Sequence, residues 1–147
     1  MQLNRGASEA LIQGGDFVHA VTDITGFGLL GHALEMASQS LVGMRFQYDA
    51  LPQLPGVRRY AELGCVPGGA QRNATYLAPH VRVSAVIDEI GQAVLWDPQT
   101  SGGLFAAIDP QFWETLTEIA PDIPFWRIGQ VTEPVQTEKH VMLEVYE

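Results

Sequence analysis

The chain has 147 residues, 46% of them hydrophobic, with 17 acidic against 8 basic residues and a formal charge of −9. That length fits one compact domain with a core of its own, needing neither disulfides nor a structural metal for stability. The acidic balance argues against a nucleic-acid-binding surface, whose affinity rests on neutralising phosphates with basic side chains, but it leaves room for a nucleotide whose phosphates are bridged by a metal held on carboxylates.

Cys65 is the single cysteine, and no zinc-type spacing links it with His19, His32, His80 and His140, so a reducing, cytoplasmic location is expected. The opening MQLNRGASEALIQGG lacks the apolar core of a signal peptide, and no run approaches the roughly 20 apolar residues of a membrane span. A soluble protein with no membrane partner is expected.

In chain order, Leu3, Ala7, Ala10 and Leu11 predict an uncapped helix that ends at Gly14-Gly15. Residues 17 to 22 read as a strand. A helix from about Gly26 to Gln39 follows, with Phe27, Leu30, Leu34 and Ala37 on its apolar stripe and Gly28, His32, Glu35 and Gln39 on a solvated face. Alternation predicts a strand at 42 to 48, and a short helix spans about Val57 to Leu63. From Gly64 to Pro79 the Gly and Pro content predicts a loop, with Cys65 as a small buried residue beside it. A short helix is expected around Ser84 to Ile90 and a strand at 104 to 108. Asp109 as N-cap with Pro110 in the first turn starts a helix with Phe112, Leu116 and Ile119 on one face. Strands near 125 to 131 and 140 to 146 close the chain. Trp96, Trp113, Trp126 and Phe105 are expected in a core or an interface. The mixture predicts an α+β, layered α/β/α domain with a mixed β-sheet flanked by helices.

Chemistry concentrates at AVTDITGFGLLGH, residues 20 to 32. Asp23 stands beyond the carboxyl end of a strand, Thr25 is placed to cap the helix, and Gly26 and Gly28 occupy its opening turn. Glycine in a helix costs about 0.8–1 kcal/mol relative to alanine, so two of them there imply close backbone approach to a ligand. Free amides and the helix dipole favour an anion, and an aspartate at that point holds Mg²⁺ that bridges to it. By spacing alone, an ordinary strand-to-helix turn fits equally well. PGGAQRN (67 to 73), with Gly68, Gly69, Arg72 and Asn73, and DPQTSGG (97 to 103), with Asp97, Thr100, Ser101, Gly102 and Gly103, are either anion-binding nests or plain turns.

In this order and at these separations, AVTDITGFGLLGHALEMA, PGGAQRN and LWDPQTSGGLF resemble the C-terminal domain of selenophosphate synthetase (selenide, water dikinase), within the aminoimidazole ribonucleotide synthetase (PurM-like) superfamily. NRGASEALIQ and FWRIGQV carry the resemblance over essentially the whole chain. It implies a PurM-like C-terminal fold, and a full enzyme that makes selenophosphate from selenide, ATP and water with release of AMP and orthophosphate, Mg²⁺ being present in the site. Asp23 falls on the family's C-terminal-domain aspartate, which takes part in metal and ATP-phosphate binding. Thr25, Gly26 and Gly28 then lie on the phosphate side, with Gly68, Gly69, Asn73, Ser101, Gly102 and Gly103 as further nucleotide contacts. Where the family often carries Thr, this chain has Ala70, which removes a hydroxyl contact. The reactive Cys or selenocysteine, its partner Lys and the other metal carboxylates belong to an N-terminal domain with no counterpart here, and Cys65 does not replace them. The chain is therefore expected to be one domain, inactive alone, whose partners are its N-terminal domain, ATP and selenide, in an enzyme that is a homodimer. Two other readings stay open: a non-catalytic binding or interaction module, and part of another ATP-dependent enzyme of the superfamily.

Overall fold

Apolar residues recurring at helical and at alternating spacing give six helices and six strands in the computed structural model, which describes residues 3–133 and 142–147. The order is α1 (Arg5–Ile12), β1 (Val18–Asp23), α2 (Gly28–Ser40), β2 (Gly43–Gln47), α3 (Val57–Glu62), α4 (Gly68–Leu77), β3 (Val81–Val83), α5 (Glu89–Leu95), β4 (Leu104–Ile108), α6 (Phe112–Ile119), β5 (Gly129–Thr132) and β6 (Leu143–Tyr146). The class is α+β, as the sequence predicts. The strands form two sheets: a four-stranded mixed sheet in the order β3-β6-β2-β5, and a separate antiparallel ribbon of β1 and β4. In the mixed sheet β6 runs parallel to both β2 and β3, while β5 is antiparallel to β2.

The ribbon stands between two apolar clusters because successive side chains of a strand point to opposite faces. Leu104, Ala106 and Ile108 of β4 turn to one side, against Leu11 of α1 and Phe112 and Leu116 of α6. Phe105 turns to the other side, into the main core built from Leu30, Ala33, Leu34 and Ala37 of α2 with Phe46 and Val145 of the mixed sheet. The Phe46 and Phe105 rings lie 6.0 Å apart, so β2 and β4 meet across this core even though they belong to different sheets.

Several elements depart from the sequence reading. Residues 68–77 of the expected loop are helical, α4, with Ala70, Asn73 and Leu77 on its buried side. Pro67 takes an extended conformation (φ −68°, ψ 145°) and opens the helix, so tertiary burial outweighs the low helix propensity of Gly68 and Gly69. Around Ser84 to Ile90 the helix lies further along: β3 comes first, then a turn, then α5, whose N-cap Asp88 accepts a hydrogen bond from the Gly91 amide at 2.9 Å. Gln111 rather than Asp109 occupies the N-cap position of α6; the Asp109 carboxylate accepts from the Gln111 amide at 2.8 Å, forming a turn that precedes the helix. Ile119 is largely outside, and Ala120 joins Phe112 and Leu116 instead. Cys65 is exposed, not buried. Trp126 is more than half exposed, whereas Phe105 is in the core and Trp96 packs against it. Residues 140 and 141 of the last expected strand lie outside the described residues.

Phe46 is 2% exposed. Phe46→Ala is expected to lower unfolding free energy by about 3–5 kcal/mol, whereas Val86→Ala, at a position 66% exposed, should change it by less than about 0.5 kcal/mol. Urea denaturation of both variants checks this.

Candidate functional site

The β1–β4 ladder ends with Asp23 opposite Leu104, and the backbone keeps pairing past it. The Ile24 amide donates to the Gly103 carbonyl and the Gly102 amide to the Ile24 carbonyl, each at 3.0 Å; the Thr25 carbonyl accepts from the Gln99 amide at 3.0 Å and from the Gly28 amide at 2.9 Å. Residues 23–28 are thereby laced to residues 97–103. From α4 the buried Asn73 amide reaches both segments, its Nδ2 donating to the Gly26 carbonyl and to the Trp96 carbonyl at 3.1 Å each. Asn4, just before α1, donates from Nδ2 to the Gly102 carbonyl at 3.1 Å. The three glycine-containing motifs, remote in sequence, thus form one structure.

The glycines divide into two kinds. Gly28 has φ +67°, and a Cβ there would lie 2.7 Å from the Asp97 carbonyl oxygen; a Cβ on Gly102 would lie 2.5 Å from that of Ile24. Both are required for the loops to approach each other, and Gly69 likewise faces Pro98. At Gly26 and Gly103 a Cβ would meet nothing within 4 Å, so the space beside them is open.

Thr25 does not cap α2. Phe27 holds the N-cap position without a side-chain cap, because the left-handed Gly28 ends the preceding turn and delays the helix. The Thr25 hydroxyl instead lies 3.0 Å from Nε2 of His32, whose Nδ1 lies 3.1 Å from the Glu35 carboxylate. Against the expectation of a solvated face, His32 is buried and only Glu35 and Gln39 are exposed. The curved start of the helix tucks this turn inward, which a 3.6-residue wheel cannot show.

The Asp23 carboxylate is exposed and has no hydrogen-bond or ion-pair partner among the described residues. As a hard oxygen donor it suits Mg²⁺. No group of three or more His, Cys, Asp or Glu converges among the described residues, so a metal at Asp23 would draw further ligands from phosphate oxygens, water or another chain. Ser101, Gly102 and Gly103 line a cleft of about 520 Å³, together with Asp97, Tyr48 and Trp126. Asp97 is partly buried, and that burial pushes its carboxyl up from the ordinary range, opposed in part by the Gln99 amide at 3.0 Å. A carboxyl perturbed by desolvation in a cleft is a functional-site candidate. The motif DPQTSGG contained it, but nothing in the sequence separated it from its neighbours.

The sequence model of the family described as AIR synthase related protein, C-terminal domain, matches residues 3–141. The chain belongs to that family. Its similarity extends to proteins named selenide, water dikinase. That of Caldanaerobacter subterraneus subsp. tengcongensis is 46% identical over 114 residues, covering 78% of this chain and 32% of that protein. The Escherichia coli O157:H7 protein is 48% identical over 106 residues (72% of this chain, 29% of that protein). The Pasteurella multocida protein is 40% identical over 128 residues (86% and 35%). The chain therefore spans about a third of the length of the curated relatives it matches.

Gly28→Ala forces a side chain into a left-handed residue and against a carbonyl, and a loss of about 2–5 kcal/mol is expected in thermal or urea unfolding. For Asp97 the folded state raises the pKa, so its contribution to stability is present below the unfolded carboxylate value and is lost as pH rises through the folded one. Asp97→Asn, which keeps an oxygen for Gln99, should therefore gain stability relative to the parent chain as pH rises across the carboxylate range. Paired denaturation curves on the two sides of that range check the sign.

Proposed function

We propose that this chain is the C-terminal, metal- and nucleotide-facing domain of a selenide, water dikinase, the enzyme that forms selenophosphate from selenide, ATP and water and releases AMP and orthophosphate. The observation that carries this reading is the free-standing Asp23 carboxylate at the carboxyl end of β1, where all three glycine motifs are laced together. Ligands in α/β sheets collect beyond strand carboxyl ends. That the relatives are named selenide, water dikinase supports this reading.

In this reading Asp23 holds Mg²⁺ and the 25–28 turn faces the phosphates. Gly26 and Gly103 leave open space where a side chain would stand, and Gly68 leaves room in the first turn of α4. Gly28, Gly69, Gly102 and Asn73 hold those segments in place, and Ser101 faces the adjoining cleft. Magnesium, when bound, supplies charge neutralisation to the triphosphate. Phosphoryl transfer depends on positioning and charge stabilisation, and one carboxylate with one wall of a site does not complete it. The domain accordingly works with an N-terminal domain that brings the reactive Cys or selenocysteine, the Lys and the other carboxylates, in a cytoplasmic homodimer.

Given ATP, Mg²⁺ and selenide, the chain alone should form no selenophosphate above background by ³¹P NMR. In the whole enzyme Asp23→Asn should lower kcat/KM by about 100-fold or more, as loss of a metal's charge stabilisation implies, with an unchanged circular dichroism spectrum and Tm. Unimpaired turnover by that variant would sink the assignment of Asp23, and turnover by the chain alone would sink the division of labour.

A further inference from the structure

His32 is a buried titratable side chain to which the reading above gives no task. It is 8% exposed, and together with Asn73 it makes up the buried polar side chains among the described residues. Its ring meets Phe27 edge-on, with centroids 5.8 Å apart, which leaves the two ring nitrogens as its polar contacts. Nδ1 lies 3.1 Å from Oε2 of Glu35, and Nε2 lies 3.0 Å from Oγ1 of Thr25.

A neutral imidazole has one N–H and one bare nitrogen, and a carboxylate oxygen only accepts. In the neutral ring the proton belongs on Nδ1, facing Glu35, and Nε2 is an acceptor. The other tautomer would set a lone pair against the carboxylate across 3.1 Å. A threonine hydroxyl has a single proton, and Nε2 is placed to take it. What remains at Thr25 Oγ1 is an oxygen with lone pairs and nothing to donate.

Resting on the reading that a metal binds at Asp23, we propose that His32 is a positioning residue: it makes the Thr25 hydroxyl an acceptor, available to the same cation directly or through one of its waters. In that role the hydroxyl gives no hydrogen bond to phosphate, and the phosphate-facing part of the turn is the backbone at 26–28. The two residues are separated only by Ile24, whose backbone is fixed by its bonds to Gly102 and Gly103. Oxygen ligands suit Mg²⁺, and partners that orient a ligand govern affinity almost as strongly as the ligand itself. Glu35 completes the relay from the exposed side of α2, holding the tautomer through its contact with Nδ1.

Two measurements on the 147-residue chain test this. In multiple-bond ¹H–¹⁵N spectra at about pH 8, His32 should show a protonated Nδ1 and a bare Nε2; any other protonation pattern overturns the proposal. Mn²⁺ alone, titrated as a paramagnetic probe, should broaden the amide signals of residues 23–26 saturably, and Asp23→Asn should abolish this. Thr25→Val and His32→Leu should raise the half-saturating Mn²⁺ about tenfold. Thr25→Ser, which keeps the hydroxyl, and His32→Gln, whose Oε1 accepts the same proton, should stay within about twofold of the parent. If Thr25→Val binds as the parent does while Asp23→Asn does not, this inference falls and the assignment of Asp23 stands. If Mn²⁺ broadens nothing around Asp23, this inference falls, and the assignment of Asp23 is decided by turnover of Asp23→Asn in the whole enzyme. Should His32→Leu unfold, Thr25→Val and the tautomer decide.

Discussion

The site depends on a single buried amide. Asn73 has two N–H protons on Nδ2 and spends them on two carbonyls from different parts of the chain, Gly26 beside Asp23 and Trp96 at the end of α5. No apolar residue of the same size does this, and each of these part-buried hydrogen bonds contributes about 0.5–1.5 kcal/mol. The placement of Asn73 in turn requires α4 to be a helix, with Ala70 and Leu77 on the same buried side. A segment rich in glycine is folded by its packing, and once folded it becomes the bracket that holds the Asp23 turn against the 97–103 loop.

Around that bracket, rigidity and openness are distributed residue by residue. Gly28 and Gly102 let two backbones approach closer than any side chain permits, which fixes the relation of the loops. Gly26 and Gly103 are adjacent to these contacts and face empty space. The β1–β4 ribbon below is held on both sides, by α1 and α6 on one and by the main core on the other. The carboxylate at its tip is carried by a strand whose register is determined far from any ligand, the arrangement that preorganises a binding group without strain in the group itself.

Much of this was legible in the residues, and the failures have physical causes. β4 occupies the span its apolar run predicts, and β1, α2 and β2 lie within one or two residues of theirs; α2 and β2 bury apolar stripes, although Phe27, expected on that of α2, is exposed, and β1 alternates between half-buried and exposed residues. The α4 segment was obscured because its glycine pair outweighs, locally, a buried spacing of Ala70, Asn73 and Leu77 whose middle member is polar. β3 is three residues long and was too short to give alternation. In the site, the grouping of the three motifs was suggested by a family likeness, and their hydrogen bonds to one another are properties of the folded chain alone. His32 was hidden for a different reason: a helical wheel assigns it to the polar stripe by angle, whereas its burial comes from the Thr25–Gly28 turn folding back over the helix start.

The charge of the chain bears on which group neutralises a phosphate. Of its seven arginines, Arg5, Arg45, Arg58 and Arg82 are paired with Glu9, Glu144, Glu62 or Asp88, Arg127 lies over the Trp113 ring, and Arg59 lies in the last turn of α3. Arg72 is different: it belongs to α4, one residue before Asn73, and its guanidinium lies beside Gly68 and Gly69. One arginine set against the several negative charges of a triphosphate leaves most of that charge uncompensated, and the exposed Asp23 adds to the repulsion unless a cation intervenes. With a divalent ion on Asp23 the sign of the site reverses. A phosphate group would then meet attraction at that point on a chain whose formal charge is otherwise −9.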